Sequence, residues 1–369
     1  NTASGYNAGC STTTGKHNTF SGYAAGKLNS TGCYNTASGY RSLIYNSTGK
    51  FNTAFGGCAL FCNTTSECNT GVGFNALRDS TTGSQNVAVG WAANQTNTTG
   101  NYNTSIGTGA LHLNTTGSSN IAAGFKSLFQ NTTASHNIGI GHEALENATT
   151  GDGNTAVGGV AMEATTTGQY NVAMGKYSLN ANTTGCRNVG LGYAALISNT
   201  TASLNTAVGT CTLYANTTGA NNTAVGYRAM VANTCGNYNT ALGYTALESN
   251  TTGTCNTGIG YRALVGNTTA VGNTASGFYS LKCNTTGYKN TASGARSLQE
   301  NTTGNNNTAS GFYSLYLNTT GSRNVAVGMN SLGSNTTGGK NTASGYLSLY
   351  TNTTGSSNTA SGYQALYAN

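Results

Sequence analysis

The sequence contains no proline. Stacked strands need every backbone N–H, and proline has none, so its absence suits a chain held by inter-strand hydrogen bonds. Charge is nearly as scarce: 6% of residues are Asp, Glu, Lys or Arg, against roughly 25% in an ordinary soluble domain. The 15 basic and 8 acidic residues are scattered without a block of like charge. That excludes a nucleic-acid-binding arm and a polybasic membrane patch. No apolar stretch approaches the roughly 18 residues of a membrane span, and no signal peptide is visible, so no membrane insertion is expected.

Catalytic groups are thin and unordered. His17, His112, His136 and His142 occupy unrelated places, and acids such as Asp79, Asp152 and Glu143 are equally scattered. His142 and Glu143 are adjacent, but neighbours on a strand point to opposite faces, and acid–base chemistry needs two groups at a defined separation. The ten cysteines show no CxxC spacing, which leaves zinc without a framework. Isolated disulfides between neighbouring coils remain an open alternative. No Asp recurs at a fixed position, which argues against calcium-binding β-roll repeats. We expect neither an enzyme nor a cofactor.

What is present is a period. Counting from Asn1, every seventeenth residue is Asn through Asn358, with no insertion or deletion. The array spans residues 1–369 as 21 full units and a partial one, and reads as one continuous run without internal domain boundaries. It starts and stops in mid-pattern, as a window from a longer chain would.

Within the unit, position two is Thr in 16 repeats and Val or Ile in the other six. Position three is small except at Phe20, and position five is always Gly. Asn-Thr-Ala-x-Gly therefore reads as a strand closed by a glycine bend. Position eight is Ala or Ser except at Thr212, and position nine is Leu in 17 units. Asn-Thr-Thr-Gly at twelve to fifteen is a turn sequence. Two short strands and two tight turns make one coil, and stacked coils make an all-β solenoid (a parallel β-helix or β-roll) of about 22 coils. The stretch Tyr363–Tyr367 is equally compatible with a turn of helix. The column Asn1, Asn18, Asn35, Asn52, Asn69, Asn86, Asn103, Asn120, Asn137, Asn154 and Asn171 should form an amide ladder between coils.

Position four changes in blocks. It is Ser in the first three units, then apolar at Phe55, Val72, Val89, Ile106, Ala123, Ile140, Val157, Met174, Leu191, Val208, Val225, Leu242 and Ile259, then mostly Ser again. Strand alternation puts it opposite the small third residue, so it should form an outward apolar stripe that packs on another copy of the chain. A wider coil would make it core instead. Position six is aromatic in 14 units, including Tyr40, Phe74, Trp91, Tyr193, Tyr227, Tyr244, Tyr261 and Phe312. Such a column stacks between coils or, on a second reading, contacts glycans.

Position twelve also spells the Asn-x-Ser/Thr acceptor. Asn29, Asn46, Asn63, Asn97, Asn114, Asn131, Asn182, Asn216, Asn250, Asn284, Asn318 and Asn352 are candidate glycosylation sites if the turn is exposed. Good turn and ladder chemistry explains the same residues without sugar. Thr-rich turns offer O-linked acceptors too.

Blocks such as Asn341–Tyr346 and Asn352–Gly355, Asn-Thr-Ala-x-Gly-Tyr and Asn-Thr-Thr-Gly, resemble repeats of tail-fibre-type surface proteins of bacteria, phages and large viruses. More distantly, the unit is similar to the shorter head repeats of trimeric autotransporter adhesins. The resemblance implies an extracellular or virion-surface fibre shaft whose partners are other copies of itself, as a trimer or filament. A glycan-binding adhesin and an ice-binding protein are the alternatives. Ice binding wants Thr at regular spacing on one flat strand; the second-position column is broken by Val87, Ile121, Ile138, Val172, Val189 and Val325, and the Thr-Thr pair lies in a turn.

Overall fold

The computed structural model describes residues 1–369 as two compact units, Asn1–Cys186 and Arg187–Asn369. Both are all-β, and neither contains a helix. The first holds eleven strands, β1 (Thr2–Ser4) to β11 (Val172–Met174); the second holds eleven, β12 (Val189–Leu191) to β22 (Thr359–Ser361). Within each unit successive strands pair in parallel, offset by one repeat: Thr2 opposite Thr19, Thr206 opposite Thr223. Each unit is therefore a β-solenoid with one coil per repeat.

Each coil has one strand, not the two expected. The strand covers positions two to four; its middle residue is buried and its flanking residues face out. The fifth-position glycine then turns the chain at φ between +123° and +139°, which only glycine adopts readily. The column is also closed by space: a Cβ on Gly124 would sit 2.3 Å from the Gly141 carbonyl oxygen.

In place of a second strand, positions five to twelve form overlapping turns. In the unit beginning at Asn69, Ala76 N–H donates to the Gly73 carbonyl, Arg78 to Asn75, and Ser80 to Leu77. Between these, Asn75 N–H donates to the Gly57 carbonyl one coil away, and Leu77 to that of Ala93 in the opposite direction. Residues seven and nine have positive φ, 57° at Asn75 and 52° at Leu77. The same geometry runs through Gln364 and Leu366, so Tyr363–Tyr367 is a turn ribbon and not helical.

The turn ribbon places every leucine of the position-nine column in the left-handed region, which costs roughly 1–2 kcal/mol per residue. Complete burial of the same side chain returns roughly 1.5–3 kcal/mol. Leu43, Leu60, Leu77, Leu111, Leu128 and Leu145 are all 0% exposed, and Leu43, Leu60 and Leu77 share one core cluster with third- and eighth-position alanines. Stacking wins, and it is available only in an array. One local exchange shows how tightly this core is filled. Phe20 occupies a small-residue position, and Gly9 and Gly26 stand where leucine usually does; a Cβ on Gly26 would lie 2.5 Å from the Phe20 ring.

Candidate functional site

Two asparagine columns run inside each unit. At position one, the side chain bridges to the next coil's main chain. Asn120 Oδ1 accepts from the backbone N–H of Asn137 at 3.0 Å, and its Nδ2 donates to the Ala134 carbonyl at 2.9 Å. The pattern holds from Asn1, through Asn18, Asn35, Asn52, Asn69, Asn86, Asn103, Asn137 and Asn154. It recurs in the second unit, for example from Asn205 to Asn222. Amide-to-amide contacts, such as Asn52 Nδ2 to Asn35 Oδ1 at 3.2 Å, are secondary to these main-chain bonds.

The second column corrects the glycosylation expectation. Asn29, Asn46, Asn63, Asn97, Asn114, Asn131, Asn182, Asn216, Asn250, Asn284 and Asn318 are 0% exposed, and Asn352 is 1% exposed. Their Nδ2 atoms point inward and are engaged. Asn114 Nδ2 donates to Asn97 Oδ1 at 2.9 Å and to the Gly117 carbonyl at 3.0 Å. Asn216 repeats this with Asn199 and Gly219, and Asn318 with Asn301 and Gly321. A sugar on such a nitrogen would displace both bonds and open the corner. The acceptor spelling is a by-product of ladder chemistry.

The corner is finished by hydroxyls and a further ladder. The position-thirteen hydroxyl donates to the carbonyl one repeat ahead, as from Thr98 to Thr115 at 2.9 Å and Ser30 to Ser47 at 2.8 Å. At position sixteen, Asn101 Oδ1 accepts from the Ser84 N–H, and the Ser118 hydroxyl from the Asn101 N–H.

The fourth-position column faces out in both units, so it is not core. Phe55 (54% exposed), Val72, Val89, Ile106 and Ile140 are exposed in the first unit, with Val157 half-buried. Val225 and Ile259 are exposed in the second, with Leu191, Val208 and Leu242 half-buried. Beside it lies the aromatic column. Tyr227, Tyr244, Tyr261 and Phe278 stack with centroids 5.3, 5.3 and 5.4 Å apart, and Tyr6, Tyr23 and Tyr40 do the same. Each interior ring thus has its faces turned to its neighbours and its edge to solvent.

Ionisable groups meet where the period brings them together. The turn geometry puts His142 Nδ1 3.3 Å from Glu143, contrary to the strand-based expectation that they diverge. Glu146 and Glu163 lie one repeat apart, and with Glu143 they gather their carboxylates within 4.8 Å. Lys126 and Asn180 already bond to this cluster. The 17-residue spacing of Glu146 and Glu163 is the sequence signal for this cluster, because residues one repeat apart stack. All ten cysteines are free thiols. Burial and the Asp79 carboxylate push the Cys62 thiol up, and burial with Glu300 does the same to Cys283. No helix is long and apolar enough to cross a membrane. No protein-family model matches the chain, and no curated protein is significantly similar to it in sequence.

Proposed function

We propose that this is a structural protein, the shaft of an extracellular or virion-surface fibre that assembles with other copies of itself into a trimer or filament. The class, a β-solenoid repeat protein, follows from the fold; the fibre role rests on the resemblance of its repeats and on one surface. The observation that carries self-association is the strand face. Its second and fourth columns contain no charged residue in any repeat, and the fourth is apolar and either exposed or half-buried over many successive coils. A monomer has little reason to keep such a stripe in water. Its occupant must repeat at the same rise to match it, and a second copy of this chain does so without further design. Low charge keeps repulsion between copies small despite the net charge of +7.

The test is sedimentation of the chain beside a variant carrying Ile106→Lys, Ile140→Lys, Val225→Lys and Ile259→Lys. We expect assemblies that the lysines dissolve without changing the circular dichroism. A wild-type chain that stays monomeric at every concentration, or a variant that assembles equally well, would overturn the reading. A glycan-binding shaft stands second, because the stacked aromatic rings cover the faces on which a sugar would lie.

A further inference from the structure

We propose that the threonine column at position fourteen is an ice-binding face, whose ligand is crystalline water. In the first unit it runs unbroken as Thr14, Thr31, Thr48 and onward to Thr184, and every one of these residues is exposed. In the second it runs from Thr201 to Thr354, interrupted only by Cys235.

The fold accounts for each neighbour of this column but not for the column itself. Position twelve is held by the buried amide ladder. The position-thirteen hydroxyl is tied to the next coil's carbonyl. Position fifteen is closed to most side chains: a Cβ on Gly117 would meet the Ala134 carbonyl at 2.2 Å. The position-sixteen side chain accepts from the preceding coil's main-chain N–H. The Thr99 and Thr116 hydroxyls, in contrast, face water and bond to no protein atom, while their backbone N–H groups both donate to the Thr115 and Thr132 carbonyls.

The chain supplies its own controls for what position fourteen requires. Where only β-branching is needed, at position two, it accepts Val and Ile. Where only a hydroxyl is needed, at position thirteen, it accepts Ser30 and Ser47. Position fourteen accepts neither Val, Ile nor Ser, so it keeps both the methyl and the hydroxyl of threonine. Nothing inside the fold reads that pair of groups.

A ligand that does must be regular over many coils spaced about 4.8 Å apart. Ordered water meets this: hydroxyls take lattice positions and methyls fill the gaps between. The stretch Thr82, Thr99, Thr116 and Thr133 is flanked at position sixteen by the uncharged Ser84, Asn101, Ser118 and Ser135, so no ion there disturbs a water layer. The broken second-position column is a poorer surface by the same standard.

The experiment measures the gap between melting and freezing temperature, and inhibition of ice recrystallisation, for the intact chain. A variant with Thr99→Tyr and Thr116→Tyr should lose most of both activities with unchanged circular dichroism, and Thr99→Val with Thr116→Val should lose part. Thr108→Tyr, at a sixth position where most repeats already carry an aromatic ring, should keep both. Absence of activity in the parent chain overturns the proposal. So does activity that survives the position-fourteen variants or disappears with Thr108→Tyr, and so does an intact mass showing sugar on the column. The fibre reading stands or falls separately, on sedimentation.

Discussion

Both buried asparagine columns run the length of each unit, yet one never varies and the other does. Position one is Asn in all 22 repeats; position twelve is interrupted by Thr12, Ser80, Ala148 and Thr165. The difference lies in what each amide bonds. A position-one side chain satisfies a buried backbone N–H of the next coil and a position-fifteen backbone carbonyl of its own. Losing it orphans a main-chain N–H that has no other partner, whereas the carbonyl keeps a second donor from position twelve, as Ala134 does from Asn131 Nδ2. A position-twelve side chain bonds mainly to its counterpart and to its own corner carbonyl. Losing it strands only side-chain atoms, and those are found at the breaks: Asn131 Oδ1, beside Ala148, and the Thr165 hydroxyl are buried without partners.

This comparison can be broken or sharpened by substitution. The largest effect is expected from Asn120→Ala, which strands the Asn137 N–H, while the Ala134 carbonyl keeps its bond from Asn131 Nδ2. Urea unfolding should register a loss of about 3 kcal/mol, at the upper end of roughly 1–3 kcal/mol for a buried orphan. A loss no larger than that of a position-twelve variant would erase the distinction. Next comes the one asparagine that stands in the leucine column. Asn94 is 0% exposed, and neither side-chain atom finds a partner. Asn94→Leu should raise stability by about 2 kcal/mol, because it removes an unpaired amide and fills an apolar site.

Asn216→Ala, in the second column, should cost about 1.5 kcal/mol, half the effect at position one. Smallest is a repair: Ala148→Asn restores a donor to Asn131 Oδ1 and should gain about 1 kcal/mol. If it destabilises, the ladder break is a packing requirement and not a tolerated gap. A separate reading of burial comes from the thiols. Cys62 and Cys283, raised by burial and a facing carboxylate, should alkylate more slowly between pH 7 and 9 than the exposed Cys10, Cys68, Cys235 and Cys255, as peptide mass mapping would show.

Much of the coil was legible because stacking depends on the period alone. Residues 17 apart must meet, so Leu43 on Leu60 and Tyr227 on Tyr244 could be written down from spacing. The strand was legible too, since β-branched Thr, small Ala and the closing Gly leave few other solutions. The second flank was not. An Ala-Leu pair reads as strand or helix, and no residue type announces that Leu77 takes φ of 52°. Leucine does so only because a stacked neighbour buries it, and a neighbour is not a property of one repeat.

The corner failed for a related reason. Asn-Thr-Thr-Gly is a good exposed turn by local preference, and it spells a sugar acceptor. Which way Asn114 points is decided by Asn97 and the Gly117 carbonyl, which together draw its Nδ2 inside. The sequence by itself therefore determined the repeat, the strand, the closing glycine and the identity of every stacked column. Tertiary structure decided which columns face inward, the left-handed turn ribbon and the burial of the acceptor asparagines. Direction within a coil is set by hydrogen-bond partners and packing on the coils above and below, and those contacts exist only once the array has formed.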